Sequence, residues 1–393
     1  MEKTWRWFGP SDIIPLADLR QIGVEGIVTS LHDVPNGDVW TIDEIRSRQA
    51  LIEDAGMRWS VVESLPVSEA IKYGGAQRDL LIDNYIESLE NLGRCGIRTV
   101  CYNFMPVIDW VRTDLEYPLS DGSCSLYFDR LRFAYFDAYI LGRKEAFSEY
   151  DQQTLNRLEE LDATISEEEK KKLIDTIIVK TQGFISGNVA EGEISPVEHF
   201  KKLMSLYDNV DKNALRANLK YFLERIMPVC REFGINMCIH PDDPPVPVFG
   251  LPRIAGSAED IRWILNAVDD EHNGLTFCAG SLSAGAHNYV PAMAVEFAPR
   301  THFVHMRSCT LLEDGNFMEA PHIGGQLNLV ELVRTFEKQG RNLPMRVDHG
   351  RTMLGDADKA YNPGYSFHGR MLAFAQVEGM MAAVQDEIKN MMI

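Results

Sequence analysis

The chain has 393 residues, of which 45% are hydrophobic and 25% charged, a composition typical of a soluble globular protein with one large α/β domain or two domains. The net charge of −19 argues against nucleic acid and against anionic membrane surfaces, and no apolar run approaches the length of a membrane span. Because the seven cysteines are scattered without CxxC pairs and no secretory signal is seen, we expect reduced thiols and a cytoplasmic protein.

Eight short apolar segments alternate with amphipathic helical patterns along the chain. Strands are predicted at 4–9, 26–31, 59–64, 97–104, 235–241, 275–281, 301–308 and 343–350. Helices are predicted at 14–23, 41–56, 84–96, 217–234, 257–268, 288–298, 328–340 and 366–388. This alternation predicts an α/β fold, a (β/α)8 TIM barrel in which residues 1–393 form a single domain. The main competitor is a doubly wound open sheet, but no Gly-rich phosphate turn follows the first strand.

One long segment interrupts the alternation after the fourth predicted strand. Residues 105–212 are highly charged and mainly helical in pattern, and they are too long to be a loop in a compact domain. We interpret them as a helical insertion within the barrel domain. Such an insertion is either a solvated helical elaboration or a cap over the mouth, because loops that follow barrel strands emerge on the catalytic face.

Four residues that can bind a divalent cation stand at the ends of the last four predicted barrel strands. They are found in INMCIHPDDPP, LTFCAGS, HFVHMRS and MRVDHG, as His240, Cys278, His305 and Asp348. In a barrel of parallel strands these ends meet at one mouth, so we expect a single metal site there. Four protein ligands leave an open position only above four-coordination, which favours Mn²⁺ or Fe²⁺ over a closed zinc site.

Neighbouring residues offer acid–base and binding functions. His349 leaves the strand in a different direction from the Asp348 side chain, and an imidazole suits general base work; the alternative is a hydrogen-bonding role beside the metal. Tyr365 follows a Pro–Gly turn and either delivers a phenol as a general acid or packs at the mouth. Arg307 projects to the same side as His305 and is a candidate clamp for a carboxylate, or else a member of a salt bridge.

Other polar residues near these segments are given structural places. Cys238 lies deeper in its strand than the ligand candidate His240 and is predicted to be core. Asp242 and Asp243 are rival ligand candidates to His240, but the surrounding prolines predict that the two carboxylates lie around the metal ligands or at the loop surface. His272 and His287 are expected at the surface.

Several long motifs resemble one known family. The segments TWRWFGP, LHDVPNG, VVESLPV, GIRTVCYNFMPVIDWVRTDLEY, HPDDPP, GLPRI, VHMRS, RVDHG and NPGY together resemble the D-mannonate dehydratases of hexuronate degradation, nearly from end to end. The chain has Val347 where the family motif has proline, a difference that touches no ligand. The resemblance implies a TIM barrel of the xylose-isomerase-like kind.

The resemblance also implies a reaction and the residues that perform it. D-mannonate loses its C2 proton and its C3 hydroxyl to give 2-dehydro-3-deoxy-D-gluconate, with Mn²⁺ or Fe²⁺ bound by the four strand-end residues. The implied catalytic residues are His349 as base, and Tyr365 or metal-bound water as acid. The expected substrate contacts are Arg307, His322, Asn103 and Trp7, the last two being the weaker candidates. We further expect a homo-oligomer, a dimer, without nucleic-acid or membrane partners.

Two other functions are compatible with such a barrel. A metal-dependent sugar isomerase would need a set of ligands richer in carboxylates, whereas this set includes a thiolate. A non-catalytic sugar-acid binding protein would not need His349 and Tyr365 beside the metal.

Overall fold

Eight parallel strands close into a barrel in the computed structural model, which describes residues 1–183 and 195–391. The strands of the described chain are β1 (Glu2–Arg6), β2 (Gly26–Thr29), β3 (Arg58–Glu63), β4 (Thr99–Tyr102), β5 (Asp114–Pro118), β6 (Cys124–Phe128), β7 (Asn236–Ile239), β8 (Asn273–Cys278), β9 (Thr301–His305), β10 (Cys309–Leu311), β11 (Phe317–Glu319) and β12 (Pro344–Arg346). The barrel order is β1-β12-β9-β8-β7-β4-β3-β2. The predicted TIM barrel is therefore confirmed, and each predicted strand overlaps one barrel strand.

Helices connect the barrel strands and cover their outer side. They are α1 (Leu16–Gln21), α2 (Ile42–Asp54), α3 (Glu69–Lys72), α4 (Arg78–Arg94), α5 (Arg130–Tyr135), α6 (Ala146–Glu149), α7 (Gln152–Asp162), α8 (Glu167–Ile174), α9 (Thr181–Gly183), α10 (Pro196–Ser205), α11 (Lys212–Phe233), α12 (Ala258–Ala267), α13 (Ala279–Ser283), α14 (Val290–Phe297), α15 (Leu329–Glu337) and α16 (Phe367–Met391). Short π-helical turns follow α5 and α8. Among the described residues, no helix has the length and apolar character that crossing a bilayer requires.

Local sequence signals explain where these helices begin and end. At the start of α2, the Thr41 hydroxyl accepts from the backbone N–H of Glu44, whose carboxylate accepts in return from the Thr41 backbone N–H. The helix α11 ends at Gly234, whose φ of 64° is the left-handed conformation that glycine adopts without strain. Pro228 lies inside α11 without ending it.

The core has an inner and an outer part. The barrel interior is filled by Val28, Val61, Cys101, Cys238 and Phe303, so the prediction for Cys238 is confirmed. A much larger apolar layer lies between the barrel and its helices; α15, for example, buries Leu329, Leu332, Val333 and Phe336. These buried side chains hold the strand ends in fixed positions around the mouth.

The segment predicted as a helical insertion contributes to a second sheet. Its strands β5 and β6 pair with each other, β6 pairs with β11, and β11 pairs with β10, all antiparallel. We call the four strands β10-β11-β6-β5 the cap sheet. The described part of 105–212 also contains α5–α10, whereas residues 184–194 of the predicted insertion lie outside the described residues. The cap sheet, which was not predicted, ties the segment after β4 to the segment after β9.

Candidate active site

Four potential ligand atoms converge at the mouth of the barrel. The imidazoles of His240 and His305, the thiol of Cys278 and the carboxylate of Asp348 place these atoms within 4.8 Å of one another. His240 directly follows β7, Cys278 and His305 end β8 and β9, and Asp348 lies two residues beyond β12. Strand register makes Cys278 a direct neighbour of His305. The structure thus brings together all four residues that the sequence suggested.

The orientation of the donor atoms suits a divalent cation. The Nδ1 atom of His240 is 2.7 Å from the Pro241 carbonyl oxygen, which leaves Nε2 directed at the cluster. Within the described residues, Nδ1 of His305 has no hydrogen-bond partner, and it is 3.6 Å from Asp348 Oδ2. The Cys278 Sγ atom is 3.7 Å from the same oxygen. Because ligand-to-metal bonds of about 2.0–2.3 Å put two ligand atoms no more than about 4.6 Å apart, the cluster nearly has the size of a metal shell.

The protonation of His240 also indicates that positive charge is favoured at this point. Burial disfavours its imidazolium, but the neighbouring Cys278 and Asp348 outweigh burial and raise the pKa of His240 to about 9. A metal cation would satisfy the same demand, since metal ligands release their protons on binding.

Asp348 is held ionised in an unusual backbone conformation. Its φ of 61° lies in the left-handed region, which aspartate tolerates better than most residues but which still costs about 1 kcal/mol. Burial opposes ionisation, but Arg346 Nη1 at 2.6 Å and Arg307 Nη1 at 3.1 Å from the carboxylate keep its pKa well below the ordinary range. The two arginines therefore maintain an anionic ligand in a buried position.

A carboxylate that the sequence analysis missed lies on the other side of His305. Glu63, the last residue of β3, has Oε1 3.5 Å from His305 Nε2, and it accepts a 2.8 Å hydrogen bond from Arg346 Nη2. Its other oxygen is 3.2 Å from Arg6 Nη1. Burial raises the pKa of Glu63, but the neighbouring cations outweigh it and lower the pKa to about 2. The His305 Nε2 atom accepts a 3.0 Å hydrogen bond from Arg346 Nε, so Arg346 orients the ring and Glu63 balances the charge of Arg346.

His349 and Tyr365 lie next to the cluster and next to each other. Their rings meet edge to face at a centroid distance of 5.3 Å, and the ring of Trp110 is 5.2 Å from His349. Burial raises the pKa of Tyr365 to about 12, although Arg346 pulls in the opposite direction. The phenol therefore keeps its proton throughout the neutral range and can act as an acid.

These groups open onto a cavity of about 470 Å³. Among the predicted residues it is lined by Asn103, His240, Arg307, Asp348, His349 and Tyr365, and further lining residues include Arg6, Ser30, His32, Asn36, Glu63, Asp109, Trp110 and Arg346. This volume and polar lining suit a small, hydroxyl-rich ligand.

Comparison with known proteins identifies the family to which this site belongs. The sequence profile of the D-mannonate dehydratase (UxuA) family matches residues 1–391. The chain belongs to the D-mannonate dehydratase family. A mannonate dehydratase from Marinomonas sp. is 44% identical over 390 residues, which are 97% of this chain and 98% of that protein. One from Chromohalobacter salexigens is 41% identical over 394 residues, covering 98% and 99%.

A solved mannonate dehydratase structure has the same fold. The crystal structure of the enzyme from Streptococcus suis serotype 2 has a TM-score of 0.79 and 33% sequence identity, covering 99% of this chain and 96% of that one. The predicted family is thus confirmed, and the two alternative functions, a sugar isomerase and a non-catalytic binding protein, are not favoured.

Two predicted substrate contacts of this mannonate dehydratase do not lie on the main cavity. Side chains alternate between the two faces of a strand, so Arg6 points into the mouth and Trp7 points to the other side. Trp7 is buried, and its ring centroid is 5.7 Å from Cζ of Arg48. His322 lies behind His349, where Nε2 is 3.3 Å from the Val347 carbonyl oxygen. Trp7 was expected there as a residue at the end of the first strand, and His322 as part of the EAPHIGG loop; neither position determines the direction of the side chain.

The guanidinium of Arg307 lines the cavity but already has anionic partners. Its nitrogens are 2.6 Å from Asp243, 3.1 Å from Asp348 and 3.4 Å from Glu319. Of the two roles predicted for Arg307, these contacts match the member of a salt bridge, whereas a clamp would need a free edge for a substrate carboxylate. Asp243 itself is only 2% exposed and lines the cavity, so of its two predicted places it has the one around the ligands and not the one at the loop surface.

Charged residues inside apolar strands are the signal that could have revealed the missed groups. Arg6 in TWRWF, Glu63 in SVVES and Arg346 in PMRVD each interrupt an apolar run at the end of a strand. A charged side chain is rarely buried unless it is paired with another charge. Three such residues at one barrel mouth therefore indicate that they belong to a single site.

Proposed function

We propose that this mannonate dehydratase, a hydro-lyase, converts D-mannonate to 2-dehydro-3-deoxy-D-gluconate and water with Mn²⁺ or Fe²⁺ bound by His240, Cys278, His305 and Asp348. The observation that carries the proposal is the cluster of four ligand atoms within 4.8 Å, at a cavity that His349 and Tyr365 also line. The mixture of sulfur, nitrogen and oxygen donors supports a transition metal over Mg²⁺ or Ca²⁺.

The chemistry requires help because the substrate is a weak carbon acid. Removal of the C2 proton next to a carboxylate builds up a second negative charge. A bound divalent ion supplies Lewis-acid stabilisation of that charge. The ionised Asp348, fixed by two arginines, would hold the ion together with His240, Cys278 and His305.

His349 and Tyr365 would move the protons. The His349 imidazole takes the C2 proton, and the electron pair of the C2–H bond forms a double bond to C3. The C3–O bond breaks, and the departing hydroxide takes a proton from the Tyr365 hydroxyl and leaves as water. The enol product then loses the proton of its C2 hydroxyl, gains a proton at C3 and becomes the 2-keto acid. Both side chains are nearly buried, which keeps bulk water away from the reacting atoms.

Binding of an anionic substrate must overcome the net charge of −19. Arg6 supplies local positive charge for the substrate carboxylate. Its guanidinium lines the cavity, and Glu63 at 3.2 Å is its one ion-pair partner among the described residues. Asn103 also lines the cavity and is proposed to bind substrate hydroxyl groups. Arg307 is proposed to act mainly by fixing its neighbours.

Metal reconstitution tests the function directly. The purified protein is stripped of metal and reloaded with Mn²⁺ or Fe²⁺, and formation of the 2-keto acid from D-mannonate is followed. We expect activity to depend on the metal, and no keto acid with either ion would refute the proposal. In a second test, His349→Asn should abolish turnover while the metal content stays near that of the wild type. Loss of metal instead would make His349 a ligand.

We also propose the cellular setting. The enzyme would act in the cytoplasm, in hexuronate breakdown, as a homodimer of single-domain subunits, with residues 105–212 as an insertion. All seven cysteines are free thiols, which supports a reducing compartment. Sedimentation of the metal-loaded protein measures the oligomeric state, and a monomer would contradict that part.

A further inference from the structure

Two groups of opposite character contact the same nitrogen of His349. Its Nδ1 atom is 2.7 Å from Arg307 Nη1 and 3.1 Å from Glu319 Oε1. A guanidinium can only donate a hydrogen bond, whereas an ionised carboxylate can only accept one. The group that Nδ1 engages therefore decides which ring nitrogen carries the proton of the neutral imidazole.

The choice of tautomer decides what His349 can do to a substrate. If Nδ1 accepts from Arg307, the proton lies on Nε2, and that nitrogen can only donate. If Nδ1 donates to Glu319, Nε2 has a free lone pair and can take a proton. Proton transfer also turns the ring into a cation, which the carboxylate stabilises and the guanidinium opposes.

Glu319 is fixed as an ionised acceptor. It is 4% exposed, and Arg112 Nη2 donates to its Oε1 at 2.9 Å, while Arg307 Nε is 3.4 Å from Oε2. Burial alone would raise the pKa of Glu319, but Arg307, His349 and Arg112 outweigh it and lower the pKa to about 2. The carboxylate therefore stays charged throughout the neutral range.

The cap sheet places this carboxylate. Glu319 is the last residue of β11, and β11 is paired on one side with β10 and on the other with β6 of the insertion. Arg112, which precedes β5, also donates to Asp243 at 2.7 and 3.3 Å. The insertion and the segment after β9 thus meet directly behind His349.

We propose that Glu319 is a positioning residue, which accepts a hydrogen bond from Nδ1–H of His349 and so presents the Nε2 lone pair to the substrate. The inference rests on the proposed function, in which His349 is the base. In that step the C2–H bond breaks, its proton binds to Nε2, and its electron pair stays on the substrate. The resulting imidazolium keeps its Nδ1–H hydrogen bond to Glu319.

The tautomer can be measured without any turnover. The wild-type protein is labelled with ¹⁵N-histidine and loaded with diamagnetic Zn²⁺, and the His349 signals are assigned by their absence in His349→Asn. We expect the ¹⁵N shifts of His349 to report a protonated Nδ1 and an unprotonated Nε2 at a pH where the ring is neutral. The opposite tautomer, with Nδ1 accepting from Arg307, would overturn the inference.

Steady-state kinetics provide the second arm. Glu319→Gln should lower kcat about 10- to 100-fold, with KM for D-mannonate and metal content close to wild type. The matched control is Asp137→Asn, which alters a buried carboxylate of the insertion that is bound by Arg143 and Tyr150. This control should keep wild-type kcat, and a similar fall in both variants, or a rise in KM alone, would count against Glu319.

The two arms separate this inference from the proposed function. A wild-type protein that fails to convert D-mannonate refutes the proposed function, whichever tautomer is found. An active wild-type protein with its proton on Nε2 refutes the role of Glu319 and leaves the proposed function standing. Because the tautomer is read in the wild-type protein, a folding defect in Glu319→Gln would not prevent this decision.

Discussion

Replacement of Asp243 by asparagine tests how much the buried ion pairs in the cavity wall contribute to stability. The carboxylate accepts from Arg112 at 2.7 and 3.3 Å, from Arg307 at 2.6 Å and from the Ser281 hydroxyl at 3.1 Å. Asparagine keeps the shape but removes the charge, and both arginines stay buried. Breaking a buried pair from one side typically costs about 3–5 kcal/mol, because an uncompensated charge remains.

The structure places the expected cost at the lower end of this range. Arg112 retains Glu319 at 2.9 Å, and Arg307 retains Asp348 at 3.1 Å, so neither cation loses all its compensation. We expect a loss of about 3 kcal/mol in the free energy of unfolding. An unfolding entropy of about 2.1 cal/mol/K per residue amounts to about 0.8 kcal/mol/K for 393 residues, so the Tm should fall by about 4 °C.

Thermal unfolding followed by circular dichroism, with the metal-free proteins at one pH and salt concentration, measures this shift. The matched control is Asp83→Asn, which removes an exposed carboxylate paired with Arg225 at 2.6 Å and should leave the Tm unchanged. Equal Tm values for Asp243→Asn and the wild type would refute the reasoning, because they would mean that the two arginines do not need this charge.

Three further results are expected. Gly280→Ala should lower kcat about tenfold or more in steady-state assays, since a Cβ would lie 1.8 Å from Arg307 Nε and displace that side chain; an unchanged kcat would show that Arg307 has room to move. Burial lowers the pKa of His302 to about 4, so the unfolded chain binds a proton below about 6.5 that the folded state refuses, and stability falls as the pH drops between these values. Between pH 7.5 and pH 5, the Tm of His302→Gln should therefore fall less than the Tm of the wild type, and an equal fall in both proteins would contradict this. Mn²⁺ at 100 times its Kd should add about 2.7 kcal/mol, or about 3 °C in Tm, and Cys278→Ala should show a smaller gain at the same Mn²⁺ concentration.

The metal cluster could be predicted from the sequence because topology alone brings strand ends together. Once eight alternating segments indicate a closed parallel barrel, residues at the carboxyl ends of the strands must share the mouth, however far apart they are in the chain. His240 and Asp348 are separated by more than a hundred positions, yet each is fixed by the same rule. Ligand identity then follows from the residue types.

Side-chain direction was less predictable. A strand presents alternate residues to opposite faces, so a shift of one position moves a residue from the cavity to the outer layer. The first strand was predicted at 4–9 but ends at Arg6, and the cavity accordingly receives Arg6 and not Trp7. No periodicity in such a short segment determines its end to within one residue.

The contact between Arg112 and Glu319 had no local signal at all. The two residues are 207 positions apart, and they meet because β6 and β11 pair in a sheet outside the barrel. These strands have five and three residues, too short for a pattern of alternation to stand out against the charged helices around them. Pairing between distant short segments is a property of the assembled fold and not of either segment.

The cap sheet sets a rule for exchanging parts between enzymes of this architecture. In a chimera that receives only residues 105–212 from this enzyme, β6 would have to pair with the recipient's strand in place of β11. Arg112 would likewise face the recipient's residue in place of Glu319. The segment 309–319 therefore has to be exchanged together with the insertion, because the two stretches of chain form one sheet. Changes in one stretch should accordingly be accompanied by matching changes in the other when such enzymes diverge.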